Sequence, residues 1–259
     1  MNKQIEFSKY QGTGNDFIMI DNRNLIVSLT QEQIARYCDR RFGIGADGLI
    51  LLQNALDADF EMVYFNSDGK MSSMCGNGGR CIVQFAHHLH IFNQKTNFNA
   101  IDEKYEGIVD NQIIHLKMNA VSQIKIDGSN FVLNTGSPHY VIFETNIDAI
   151  NIIDEGRKIR YSDNYPEGIN VNFVEIIGPQ KIKVRTYERG VEDETYSCGT
   201  GVVAASLCFQ LLTQHQQTQT DILTKGGSLQ VSFKKDQNTY DDIYLKGSAE
   251  KVFEGSIYL

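Results

Sequence analysis

Short apolar runs bounded by turn-forming residues recur along the chain and predict strands at Phe17 to Asp21, Leu49 to Leu52, Glu61 to Phe65, Ile113 to Met118 and Ile124 to Ile126. Three stretches follow a helical period instead. Thr30 heads the first, with Gln33 three residues on to complete a capping box and Ile34, Tyr37 and Cys38 at helical spacing. Gly43 is expected to stop it. The second, Arg80 to Leu89, carries Cys81, Ile82, Val83, Phe85, Ala86 and Leu89, with His87 and His88 toward water. The third, Val202 to Leu212, is apolar nearly all round, which predicts a buried, central helix.

The chain also repeats itself. Cys75-Gly76-Asn77-Gly78 returns as Cys198-Gly199-Thr200-Gly201, Gly14-Asn15-Asp16-Phe17-Ile18 aligns with Gly136-Ser137-Pro138-His139-Tyr140, and Gly45-Ala46-Asp47-Gly48 falls opposite Gly168-Ile169-Asn170-Val171. All three pairs are offset by 122 or 123 residues, too long for a solenoid unit and hard to obtain by chance. The expected architecture is therefore α+β, with two pseudo-symmetric halves. Each half is a β-rich, barrel-like shell around a central buried helix, and the active site lies in the cleft between them. The halves are expected at residues 1–118 and 119–259, with a C-terminal strand at 249–259 able to pack back onto the first.

At 259 residues the chain can bury a sizeable core. Its 24 Lys and Arg against 32 Asp and Glu argue against nucleic acid as a partner, because phosphate binding needs a basic surface. No apolar run is long enough for a membrane span, and the N-terminal residues do not read as a signal peptide, so a cytoplasmic location is expected. The five cysteines form no zinc-like cluster, and an odd number without a secretion signal points to reduced thiols. Cys38, Cys81 and Cys208 fall in apolar helical patterns and read as core.

Cys75 and Cys198 stand apart because each directly precedes a helix. Unpaired backbone N–H groups and the helix dipole favour negative charge there and lower a thiol pKa. The same N–H groups can hold a carboxylate or the enolate-like charge left when an α-proton departs. Two such sites facing one another suit stereochemical inversion, one thiolate removing a proton from one face while a thiol delivers one to the other. That chemistry needs neither metal nor cofactor, provided water is excluded.

The motifs that carry a family resemblance run through nearly the whole chain. They are Phe7-Ser8-Lys9, Gly14-Asn15-Asp16-Phe17, Phe42-Gly43-Ile44-Gly45-Ala46-Asp47-Gly48, Phe65-Asn66-Ser67-Asp68-Gly69, Met74-Cys75-Gly76-Asn77-Gly78-Gly79-Arg80, Gly136-Ser137-Pro138-His139, Pro166-Glu167-Gly168-Ile169-Asn170, Tyr187-Glu188-Arg189-Gly190 and Ser197-Cys198-Gly199-Thr200-Gly201. In this order they resemble the diaminopimelate epimerases, cofactor-independent enzymes that interconvert L,L- and meso-diaminopimelate for lysine and cell-wall precursor synthesis. The resemblance implies that Cys75 and Cys198 are the acid/base pair and that His139 and Glu188 assist them, His139 with Cys75 and Glu188 with Cys198. It implies that Gly76, Asn77, Gly199 and Thr200 hold the carboxylate at the reacting end through their backbone. Asn15, Asn66, Asn170, Glu188 and Arg189 would then read the second amino-acid head. It also implies a homodimer, with no metal and no cofactor. Two positions depart from the pattern of some members, Ser137 in place of an amide and Gly48 in place of Gln, and both touch substrate recognition.

Other readings compete. Gly43 to Gly48 matches the glycine spacing of a dinucleotide fingerprint, but it follows a helix and precedes a strand, the reverse of that motif. His87, His88 and His90 read as a surface face. Another cofactor-free racemase of the same fold, acting on proline, hydroxyproline or histidine, would not need Glu188, Arg189, Asn66 and Asn170 for a second head. A redox or metal-binding protein, or a non-catalytic amino-acid-binding module, would show no α-proton exchange.

Overall fold

The computed structural model describes residues 4–72, 74–101, 103–214 and 216–258. The chain divides into two compact units, Met1–Leu116 with Ser248–Leu259, and Lys117–Gly247. In chain order the elements of the first are β1 (Gln4–Gly12), β2 (Asn15–Asp21), α1 (Gln31–Cys38), β3 (Gly48–Gln53), β4 (Phe60–Asn66), α2 (Gly76–His88), β5 (Lys95–Ala100), β6 (Glu103–Asp110) and β7 (Ile113–Met118). The second follows with β8 (Ile124–Asp127), β9 (Asn130–Asn134), β10 (Pro138–Phe143), a 3-10 turn at Ile147–Ala149, α3 (Ile152–Arg160), β11 (Asn170–Gly178), β12 (Lys181–Glu188), β13 (Asp193–Thr195), α4 (Gly199–Thr213), β14 (Gln219–Thr224), β15 (Gly227–Asp236) and β16 (Thr239–Ser248). The last strand, β17 (Glu250–Tyr258), lies antiparallel along β1, from Gln4 opposite Tyr258 to Gln11 opposite Glu250. Residue 259 of the expected C-terminal strand, and residues 1–3 of the N-terminal stretch, lie outside the described residues.

One pattern of strand pairing occurs in both units. In the first, β1 pairs antiparallel with β2, β2 parallel with β3, β3 antiparallel with β4, β4 parallel with β5, and β5–β6–β7 continue antiparallel. In the second, β9, β10, β11, β12, β14, β15 and β16 repeat the same alternation. The strand β8 lies on β9 as β17 lies on β1.

Burial explains the apolar runs. The centre of β2, Phe17–Ile20, and most of β3, Leu49–Leu52, are buried on both faces, so they read as continuous rather than alternating. One face packs with Ile34 and Cys38 of α1 in a cluster that includes Ile5, Phe7, Ile18, Leu49 and Leu51. The other meets α2, which contacts β1, β2, β3, β6 and β17, so the sheet curls around this helix. In the second unit α4 lies in the same way against strands from β9 to β15, while α3 covers β11 and β12 with Ile152 packed among Tyr140, Phe173 and Tyr187. The near-absence of a polar face on α4 follows from this enclosure.

Two helix starts fall where the cysteines were expected to precede a helix, and the end of α1 differs from the sequence expectation. Both glycine-containing cysteine motifs belong to the helices themselves, so α2 begins at Gly76 and α4 at Gly199, each capped by its cysteine in an extended conformation. The Thr30–Gln33 capping box forms, but α1 ends at Cys38. Asp39 turns the chain out of the helix, its Oδ1 accepting from the N–H groups of Arg41 and Phe42 at 2.7 Å, so Gly43 sits in the following loop. No helix among the described residues is long and apolar enough to cross a membrane.

Candidate active site

In the first unit the site begins where α2 begins. The first intrahelical bond runs from Gly79 N to Cys75 O at 2.7 Å, which leaves the N–H groups of Gly76, Asn77 and Gly78 without an intrahelical acceptor. Cys75 is partly exposed, and its Sγ lies 3.6 Å from Asn15 Oδ1. That oxygen also accepts from Asn77 Nδ2 at 3.3 Å, while Asn15 Nδ2 donates to Asp47 at 2.6 Å. The Asn15 amide is thus fixed with its oxygen toward the thiol.

Behind Asn15 lies a charge network. Asp16 accepts from Lys9 at 2.6 Å and from both terminal nitrogens of Arg40, at 2.7 and 3.0 Å. Burial works against an ionised Asp16, but Arg40 and Lys9 prevail and bring its carboxyl down to about 2. Arg40 also reaches Asp47 at 2.8 Å, tying the network to the residue that orients Asn15.

Arg80 belongs to the motif around Cys75, but its sequence position alone assigns it no role. Its guanidinium is fully buried and donates to Thr13 Oγ1 at 3.0 Å, Asn77 Oδ1 at 3.1 Å and Gly76 O at 3.3 Å. Among the described residues it forms no ion pair with a carboxylate, and its Nε has no hydrogen-bond partner. Burial lowers its pKa, and the charges that act in the opposite direction are those of Cys81 and Cys75. Burial pushes the Cys81 thiol up to about 12, which leaves Cys75 as the acid in reach of this cation. A basic residue in an otherwise apolar helical stretch was the available signal.

Asn66 lies exposed at the end of β4, opposite Gly48 in the β3–β4 register. A Cβ at Gly48 would come within 2.5 Å of both Tyr64 Cε2 and Phe65 O, so the absence of a side chain there admits the Tyr64 ring.

In the second unit the first intrahelical bond of α4 is Val202 N to Cys198 O at 3.0 Å, leaving Gly199, Thr200 and Gly201 N–H without an intrahelical acceptor. Cys198 is buried, and its Sγ lies 3.5 Å from Thr200 Oγ1. That hydroxyl is 2.9 Å from His139 Nε2, and the Thr200 carbonyl accepts from Thr135 Oγ1 at 2.8 Å. His139 is buried on β10, beside Asn170 in the parallel β10–β11 register. Burial, and then the nearby Arg189 charge, bring its pKa from 6.5 down to about 3, so the imidazole is neutral near pH 7.

Asn170 clamps two loops. Its Nδ2 donates to Ser137 Oγ at 2.9 Å and Pro138 O at 3.0 Å, and its Oδ1 accepts from Arg189 N at 2.9 Å. Ser137 therefore serves as an acceptor for Asn170. Glu188, the last residue of β12, is half-buried, and the neighbouring Arg189 donates from Nη1 to Glu167 O at 3.3 Å. Asn172, two residues beyond Asn170 on the same strand, was not anticipated; it is fully buried, and its Nδ2 lies 3.1 Å from His139 Nδ1.

The model of the diaminopimelate epimerase family matches residues 7–109 and 131–252. A diaminopimelate epimerase of Flavobacterium psychrophilum is 50% identical over 252 residues, covering 96% of this chain and 98% of that one. One from Chlorobaculum tepidum is 44% identical over 260 residues, covering 96% and 99%. Among solved structures, a phenazine biosynthesis protein of the PhzF family from Bacillus anthracis superposes with a TM-score of 0.77 at 14% identity, covering 99% of this chain and 100% of that one. A probable proline racemase from Agrobacterium radiobacter superposes with a TM-score of 0.70 at 14% identity, covering 98% and 93%. At that identity the structural likeness speaks for a shared α+β fold.

Proposed function

The chain belongs to the diaminopimelate epimerase family, and from that premise we propose that it inverts one α-carbon of diaminopimelate by proton transfer between Cys75 and Cys198. The observation that carries the reading is the matched pair of helix starts. In each unit a cysteine stands in an extended conformation at the N-cap of a helix, at the same point in the same order of strands. One thiolate takes the α-proton: the C–H bond breaks, an S–H bond forms, and the electron pair delocalises into the substrate carboxylate. The other thiol delivers its proton to the opposite face. Neither step needs a cofactor.

Backbone groups of Gly76, Asn77, Gly199 and Thr200 hold that carboxylate, where aligned N–H donors favour the growing negative charge. Asn15, Asn66, Glu188 and Arg189 read the distal amino-acid head, a guanidinium gripping its carboxylate and carboxylate or amide oxygens accepting from its ammonium. Asn170 acts by holding the Ser137–Pro138 and Arg189 segments in place. His139 and Glu188 assist the thiols. A homodimer working in the cytoplasm, each chain using Met1–Leu116 with Ser248–Leu259 and Lys117–Gly247 as its two catalytic halves, completes the proposal.

The test is proton NMR of L,L-diaminopimelate with the enzyme in D₂O. Loss of the α-proton signal with appearance of the meso isomer, and loss of net epimerisation in both Cys75→Ala and Cys198→Ala, is the expected result. Absence of exchange with diaminopimelate would overturn the substrate. Full epimerisation by either variant would overturn the two-base mechanism.

A further inference from the structure

The environment of His139 leaves it one protonation pattern. Asn172 Nδ2 lies 3.2 Å from the Tyr140 carbonyl, which can only accept, so the amide nitrogen must face that way. Inverting the side chain would set its carbonyl against another carbonyl. With the nitrogen so placed, its second hydrogen points at His139 Nδ1, 3.1 Å away. The remaining atom, Asn172 Oδ1, accepts from Thr186 Oγ1 at 3.0 Å. Every polar atom of this buried amide is therefore engaged, and rotating it would set its oxygen against the Tyr140 carbonyl and leave that carbonyl without this donor. Gly201 belongs to the same arrangement, because a Cβ there would stand 2.4 Å from Asn172 Oδ1.

A nitrogen that receives a hydrogen bond carries a lone pair. His139 Nδ1 is thus unprotonated, the ring proton sits on Nε2, and Nε2 donates to Thr200 Oγ1 at 2.9 Å. Thr200, having accepted there, can turn its own hydrogen toward Cys198 Sγ, 3.5 Å away. We propose that Asn172 is a positioning residue that locks His139 in its neutral, Nε2-protonated tautomer, so that His139 and Thr200 form a one-way line of donors ending on the Cys198 sulfur. The effect is to favour the thiolate of Cys198, alongside the helix N-terminus on which it sits. In this role His139 acts on Cys198, not on Cys75 as the family resemblance implies, and does not take up a proton during turnover. Burial and the Arg189 charge, which keep its pKa far below neutrality, agree with that. The catalytic meaning of the line rests on the proposed role of Cys198, but the line itself is measurable without substrate.

The experiment is nitrogen-15 NMR of protein labelled at histidine, with His139 assigned by loss of its signals in His139→Gln. At pH 7 the wild-type ring should show a lone pair at Nδ1 and a proton at Nε2. In Asn172→Asp the introduced carboxylate should draw a proton onto Nδ1. In parallel, alkylation of Cys198 by iodoacetamide at pH 7, followed by peptide mass spectrometry, should slow about tenfold in Thr200→Val and recover in Thr200→Ser, as for a one-unit rise in thiol pKa. A wild-type ring protonated at Nδ1, or an unchanged Cys198 rate in Thr200→Val, overturns the proposal. If Asn172→Asp fails to fold, the wild-type spectrum and the Thr200 pair still decide it. The predicted spectrum and rates in a protein that leaves diaminopimelate untouched would support the line of donors and refute the substrate reading.

Discussion

Arg80 donates to Asn77 Oδ1 at 3.1 Å from a fully buried position one helical turn behind Cys75. A buried cation with no carboxylate at hand is costly unless a negative charge can form nearby. The helix start around Cys75 is therefore both braced and polarised by one side chain. Arg80→Met should move the pH midpoint of Cys75 alkylation up by about one unit, in line with removal of a neighbouring opposite charge. Arg80→Lys, which keeps the charge, should move it less. Peptide-resolved alkylation across pH measures both, and an unmoved midpoint in Arg80→Met would remove Arg80 from any account of Cys75.

His139 makes stability depend on pH in a defined direction. Burial, helped by Arg189, puts its folded pKa at about 3, against 6.5 for the free side chain. Below pH 6.5 the unfolded chain binds a proton that the native state refuses until about pH 3. The contribution is therefore fully present above 6.5 and declines as pH falls, at up to about 1.4 kcal/mol per pH unit. Between pH 7 and pH 5 the wild type should lose about 2 kcal/mol more than His139→Gln, read from urea unfolding curves.

Asp16 acts in a lower window. Arg40 and Lys9 outweigh its burial and bring its carboxyl from 3.8 to about 2, so its ionisation stabilises the native state above pH 4 and ceases to do so as pH falls through 2. Asp16→Asn should cost about 2 kcal/mol near neutrality, and the gap to wild type should narrow between about pH 4 and pH 2. The same variant loosens Arg40 and, through it, Asp47 and Asn15. A raised KM for diaminopimelate is the expected kinetic sign.

The neighbours of Gly48, a position where the family resemblance implies Gln in some members, have closed in. With Tyr64 Cε2 and Phe65 O each 2.5 Å from where a Cβ would go, Gly48→Gln should destabilise the protein by about 1–3 kcal/mol, the usual cost of overpacking. Calorimetry should show a lowered Tm. An unchanged Tm would mean that the Tyr64 ring moves freely.

Much was legible in one dimension because it rests on local chemistry and periodicity. The apolar runs Phe17–Ile20 and Leu49–Leu52 announced strands because they are buried on both faces, and the cap of α1 was written in Thr30 and Gln33. The apolar circumference of α4 followed from its enclosure by strands. The alternation of β1, with Ile5, Phe7 and Lys9 inward and Gln4, Glu6 and Ser8 more exposed, is a strand signal that the apolar runs overshadowed. The starts of α2 and α4 were legible in the two Cys-Gly-x-Gly motifs, which open these helices although glycine has low intrinsic helix propensity.

The partners of the site residues were decided only by the tertiary fold. That Asn172 meets His139 depends on β10 and β11 running parallel, with His139 opposite Asn170. A strand pattern places Asn170 and Asn172 on one face but cannot say which side chain lies across the ladder. Nor could the sequence say that Arg80 is buried with no carboxylate partner among the described residues, or that Tyr64 fills the space above Gly48. Residue type and spacing along one strand or helix are set by local geometry. Charge compensation, tautomer and fit are set by atoms that folding brings together from distant parts of the chain.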